Sequence, residues 1–199
     1  MIGIYLVTGI IIAAILTSII HNTRVNRKHQ WIPYLIKKGR HYSINTNSLF
    51  HLPWKFSFAP RALRFSAIFG EGTNAFKPEG DISKLYGMTF GFDPHWRSIR
   101  IGWRYEGNDM FQLFIYWYED GKRKHKPIMK VGMLEQIDFN IFHNNKDKVI
   151  VEVKYKKQTS VVDSVPMSKE SVWLRFKLYP YFGGNITAPC DMRIFISNQ

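Results

Sequence analysis

Hydrophobic residues are distributed along this chain in two regimes. Residues 2–20, IGIYLVTGIIIAAILTSII, form an apolar run without a charge. From about residue 54 onward apolar positions fall at every second residue, the repeat of a half-buried strand. Leu63, Phe65, Ala67 and Phe69 alternate with Arg64, Ser66 and Ile68. Tyr86, Met88, Phe90 and Phe92 alternate with Gly87, Thr89 and Gly91. Ile99, Ile101, Trp103 and Tyr105 alternate with Ser98, Arg100, Gly102 and Arg104. The run MFQLFIYWY sets Phe111, Leu113, Ile115 and Trp117 against Gln112, Phe114, Tyr116 and Tyr118. EGND before that run and EDGK after it are hairpin signals. Further strands are expected over 128–133, 136–142, 148–156, 171–179 and 191–197. No helical stripe of usable length follows residue 50.

About nine or ten short strands separated by turns predict an all-β fold. Several strands carry large side chains on both faces. That pattern favours a jelly-roll-like antiparallel β-sandwich with one lined outer face, ahead of a closed barrel. In KLYPYFGGNITAPCDMRIFI, residues 177–196, a strand breaks and restarts. Val172, Leu174, Phe176 and Leu178 are expected to face the core, with Trp173, Arg175, Lys177 and Tyr179 outward. Pro180 lacks a ladder donor, and Gly183-Gly184 opens dihedrals closed to other residues. Tyr181 and Phe182 then plug one end of the sandwich, and Met192, Ile194 and Ile196 return inward.

The apolar run predicts one transmembrane helix over 1–22, since its nineteen residues span roughly 28 Å as a helix. Nothing basic precedes it and no small-residue cleavage site follows, which disfavours a signal peptide. Residues 23–53 are expected to be a basic juxtamembrane linker, with Trp31 and Tyr34 at headgroup level or simply in the linker. The sandwich takes 54–199. Charge sharpens this division. The 199-residue chain carries a formal +13, yet its first acid is Glu71. The excess therefore gathers toward the N-terminus, which suits a membrane surface better than a nucleic-acid footprint on the folded face. Arg24, Arg27 and Lys28 follow the span, and the positive-inside rule would keep the β-domain cytoplasmic. The single cysteine, Cys190, excludes an intrachain disulfide and reads as an apolar filler.

KLYGM (84–88), HWRSIRIGWR (95–104) and LYPYFGGNITAPCDM (178–192) resemble the pattern of an uncharacterised β-sandwich family of membrane-anchored or lipoprotein-like proteins of Bacteroidota. The resemblance covers roughly residues 56–197. It implies the sandwich and an exocytoplasmic domain, in conflict with the charge rule, and it brings no assigned chemistry. Cys190 stands where the pattern has His.

Candidate chemistry collects on the outward strand positions. Arg100, Arg104, Gln112, Tyr116, Tyr118, Trp173, Arg175, Lys177 and Tyr179 together would make an aromatic and cationic platform. Rings stack on sugar faces, and guanidinium forks grip carboxylates. A glycan lyase on that platform would use Tyr116 as base, with Arg100 and Gln112 neutralising a uronate. Asp138 and Glu152 are the carboxylates a hydrolase would pair. GKRKHKP, 121–127, reads as a solvated basic hairpin tip or a contact for phosphate or lipid headgroups. Metal-ligand spacing, phosphate loops and nucleophile motifs are missing from the sequence, so no cofactor is called for. The expected function is a membrane-anchored module that binds an acidic glycan rather than catalysing. A structural or assembly component using the aromatic face for protein contacts is second, and a polysaccharide lyase third.

Overall fold

A computed structural model describes residues 30–47, 62–75, 81–143, 148–166 and 175–199. The expected membrane span and residues 23–29 lie outside them, as does Trp173. Among the described residues no helix is long and apolar enough to cross a membrane.

Alternation closes into two antiparallel sheets, a β-sandwich in keeping with the jelly-roll-like expectation. The strands are β1 (Trp31–Ile36), β2 (Ser43–Asn45), β3 (Ala62–Phe69), β4 (Ser83–Phe90), β5 (Ser98–Gly107) and β6 (Met110–Glu119). They continue with β7 (Lys122–Gly132), β8 (Ile137–His143), β9 (Lys148–Tyr155), β10 (Gln158–Pro166), β11 (Arg175–Leu178) and β12 (Met192–Asn198). Among the described residues one sheet has seven strands in the order β10-β9-β8-β3-β12-β1-β2, the other five in the order β11-β4-β5-β6-β7. Between them the inward sets interdigitate: Phe65 stacks on Phe139, Phe69 on Phe111, and Trp103 packs edge-on against Phe111 and Phe182. The two hairpin signals become tight turns with Asn108 and Asp109 at φ 51 and 55, and Asp120 and Gly121 at φ 48 and 75. Positive φ at both central positions gives the turn the twist its flanking strands need.

Three expectations change. Residues 31–36, assigned to the linker, form β1 between β12 and β2. The segment WIPYLI keeps period two, burying Ile32, Tyr34 and Ile36. Tyr34 is thus a core residue, with its ring 5.4 Å from Tyr179. Strand β7 runs unbroken through the basic segment expected to be only a hairpin tip. Strand β11 presents the opposite faces from those expected. Arg175 pairs with Phe90 and Lys177 with Met88, both core residues, while Phe176 and Leu178 pair with Thr89 and Gly87 on the outer side. Directly opposed residues share a face. Burial holds the Lys177 amine below the ordinary lysine value, and its Nζ donates to Asn198 Oδ1 at 3.4 Å.

The C-terminal corner does the plugging expected of it, with one division of labour. Phe182 is buried against Trp103, whereas Tyr181 turns to the outside of the five-stranded sheet.

Candidate functional site

The outer face of the five-stranded sheet is laid out in rows across its strands. One row sets Lys84 of β4 beside Gly102, Phe114 and Pro127. The next sets Gly87 beside Arg100, Tyr116 and His125. A third sets Thr89 beside Ser98, Tyr118 and Arg123. Beyond β4 the row of Lys84 continues through bridges to Tyr181 and from Tyr181 to Tyr42, in the loop between β1 and β2. A line of side chains therefore crosses the sheet, from Tyr42 through Tyr181, Lys84, Arg100 and Tyr116 to β7.

Lys84 is the unusual member. It is 7% exposed, and a register shift between Lys84 and Tyr86 sets it outward while Leu85 and Tyr86 both join the core. Its Nζ donates to the Gly183 carbonyl at 2.7 Å and lies 4.9 Å from the centre of the Tyr116 ring and 5.3 Å from that of Tyr181. Burial lowers its pKa to about 8; Asp81 opposes that shift, while Arg100 and Arg123 add to it. Asp81 is occupied by the corner itself, its Oδ2 accepting from the Gly184 and Asn185 amides.

Arg100 stands at the middle of the face. Burial brings it down to about 10, so it stays cationic at neutral pH. The groups that offset this are the phenols of Tyr116, Tyr118, Tyr181 and Tyr42, and no carboxylate is among them. Arg100 is only partly exposed, and among the described residues no carboxylate pairs with it, so its positive charge is open toward the outer face.

Tyr116 and Tyr118 stand side by side on β6, with ring centres 5.8 Å and hydroxyls 3.4 Å apart. Burial and the neighbouring Tyr118 hold the Tyr116 phenol protonated well beyond its ordinary range, and Arg123 works against them. Aromatic rings frame the face at both ends. Tyr181 stacks on His41 at 5.1 Å and takes the edge of Tyr42 at 5.0 Å. At the other end His95 packs edge-on against Tyr118 at 5.1 Å, beside exposed Trp96.

Of the nine residues the sequence assembles, the structure brings Arg100, Tyr116 and Tyr118 together. Arg104 and Gln112 share their face but are tied up: Arg104 pairs with Glu106 at 2.8 Å, and Gln112 Nε2 donates to the carbonyls of Leu113 and Met129. Arg175, Lys177 and Tyr179 belong to the inter-sheet side, and Trp173 is outside the described residues. Asp138 and Glu152 lie on the seven-stranded sheet, engaged with Ser66 and Asn140 respectively. Sequence reasoning missed Lys84, Tyr181, Tyr42 and Arg123. Lys84 left one trace, a lone cation inside the near-continuous apolar segment around KLYGM.

No protein-family model matches the sequence. No curated protein matches it either. The fold does have solved counterparts. One is alginate lyase vAL-1 from a Chlorella virus, with a TM-score of 0.52 at 14% identity, covering 83% of this chain and 81% of that one. Another is alginate lyase Aly36B, with a TM-score of 0.52 at 13% identity, covering 84% of this chain and 78% of that one. At such identities the likeness establishes a shared β-sandwich fold.

Proposed function

We propose that this protein is a polysaccharide lyase that cleaves uronate-containing chains by β-elimination on the outer face of the five-stranded sheet. The observation that carries the reading is the trio of Lys84, Arg100 and Tyr116: one amine near neutrality, one cation without a counter-ion and one phenol held protonated, all in adjacent rows. The fold shared with two alginate lyases supports it. It keeps the expected acidic glycan as ligand and adds chemistry to the binding.

In this reading Arg100 takes the uronate carboxylate and stabilises the charge that grows on it as the C5 proton becomes acidic. Lys84, with its pKa near 8, removes that proton as general base. The C5–H electron pair forms the C4–C5 double bond. The C4–O bond breaks, its electrons leave with the oxygen, and the Tyr116 phenol supplies the proton this oxygen needs. Tyr116 thus serves as acid rather than base, which suits a phenol whose proton is retained. Gln112 takes no part, being bonded to backbone carbonyls. The expected membrane anchor at 1–22 would tether this activity to a bilayer; that element rests on the apolar run.

Incubation with a polyuronate such as alginate, read by the ultraviolet absorbance of unsaturated ends, tests the proposal. Wild type is expected to generate them, and Arg100→Ala and Tyr116→Phe to lower the rate by about 100-fold or more. A full-length, folded protein yielding no unsaturated ends from any uronate polymer refutes it, as do variants as active as wild type.

A further inference from the structure

Resting on that reading, we infer that strand β7 is a second, electrostatic subsite that holds the anionic chain beyond the reacting sugar, so that the substrate class is the long polyuronate rather than the short oligomer. Lys122, Arg123, Lys124, His125 and Lys126 are consecutive, and all are exposed. Among the described residues, the one acid that pairs with this run is Glu119, which meets Lys124 at 2.5 Å. The run is therefore a net cationic edge.

A sheet edge commonly carries lysine to discourage pairing with other strands. Two facts here go further. Arg123 and His125 lie directly opposite Tyr118 and Tyr116, so they extend the rows of the site itself. The remaining lysines alternate onto the other side of the same strand, which gives the edge charge on both faces. A chain crossing the sheet from Tyr181 over Arg100 toward Tyr116 meets β7 as the edge of the sheet on that side. Strands lie about 4.8 Å apart, so β4 and β7 are separated by roughly 14 Å, enough for a few sugar rings. A trimer centred on Arg100 reaches at most the outward Arg123 and His125, while a polymer continues over the β7 edge to Lys122, Lys124 and Lys126, which stand opposite Glu119, Trp117 and Ile115 on the other face, and gains further attractions there, screened by salt beyond about 10 Å at 0.1 M.

Fluorescence anisotropy of the full chain with labelled alginate trimer and with labelled long alginate separates these cases without relying on turnover. For wild type the polymer is expected to bind tighter than the trimer, with a steep salt dependence. In K122Q/K124Q/K126Q the polymer-to-trimer affinity ratio is expected to fall by about tenfold and the salt dependence to flatten, as for any polyanion bound through released counterions. K122R/K124R/K126R should restore both. A ratio unchanged in the Gln variant overturns the inference, and so does an equal loss for both ligands. Tighter binding of the run to duplex DNA or to anionic vesicles than to alginate, in the same assay, also overturns it by assigning β7 to another polyanion. The lyase reading fails separately: a protein that binds alginate through β7 yet yields no unsaturated ends is a binder, and one that cleaves with an unchanged ratio is a lyase without this subsite.

Discussion

Lys84 places a titratable amine where solvent scarcely reaches, and the energetic sign follows from its shift. Its pKa is about 8 in the fold against 10.5 ordinarily, because burial penalises the charged form. Between those values the unfolded chain binds more protons than the folded one, so stability rises with pH from about 8 to 10.5. Below that window the buried ammonium costs the fold about 3 kcal/mol. Lys84→Met should therefore raise stability at pH 7 by about 1–2 kcal/mol, less than the full cost because Gly183 loses its donor. Urea titrations at pH 7 and pH 10 check this, the gain shrinking at the higher pH. The same amine gives the catalytic proposal a pH signature. The kcat/KM of wild type is expected to climb as Lys84 deprotonates and to level off above about pH 8. Lys84→Arg, which does not titrate in that range, should lose the climb along with most of the activity. A flat wild-type profile between pH 6 and 9 counts against Lys84 as base.

At the scale of single strands, period two was readable wherever one face was clearly greasier than the other. Strands β3, β5, β6 and β12 appear with their expected inward sets. Strand β11 is the instructive failure. Its two faces, Phe176 and Leu178 against Arg175 and Lys177, suggest that the apolar pair should be inside. Among the described residues four pair there, and register with β4 decides the matter. Arg175 is accommodated inside because its guanidinium lies 5.4 Å from the Phe90 ring centre, and Lys177 reaches Asn198. Strand β1 was hidden differently: Trp31, Tyr34 and the following lysines look like a headgroup belt when they come after a long apolar run. Lys84 was hidden by a shift of register, which no alternation reveals. The β4–β5 pairing that presents Arg100 also makes a strict demand. A Cβ on Gly87 would come 2.1 Å from the Ile99 carbonyl oxygen and 2.6 Å from the Arg100 Cα. Backbone cannot yield as a flexible side chain would. Gly87→Ala is expected to cost at least about 2 kcal/mol and to disturb Arg100, visible as a lower melting temperature and weaker uronate binding.

For the molecule as a whole, the boundary between appendage and domain lies earlier in the chain than charge and composition suggest. Strand β1 covers one side of β12, and Ile32, Tyr34 and Ile36 belong to the continuous core. A chain cut at residue 54 loses those three side chains and bares the ladder of β12, so it should fail to fold or aggregate through that edge. A chain starting at Gln30 retains every described strand and should give a cooperative β-type melt by circular dichroism. Equal folding of the two would contradict the placement of β1.

The contact between Tyr42 and Tyr181 joins parts that belong to different sheets. The loop bearing Tyr42 connects two strands of the larger sheet, yet the ring it props stands at the working surface of the smaller one. Residues 37–42 therefore shape that end of the face, and because Gly39, Arg40 and His41 also bond the backbone of the C-terminal corner at Ala188 and Phe182, a change there is transmitted to the corner that holds Lys84.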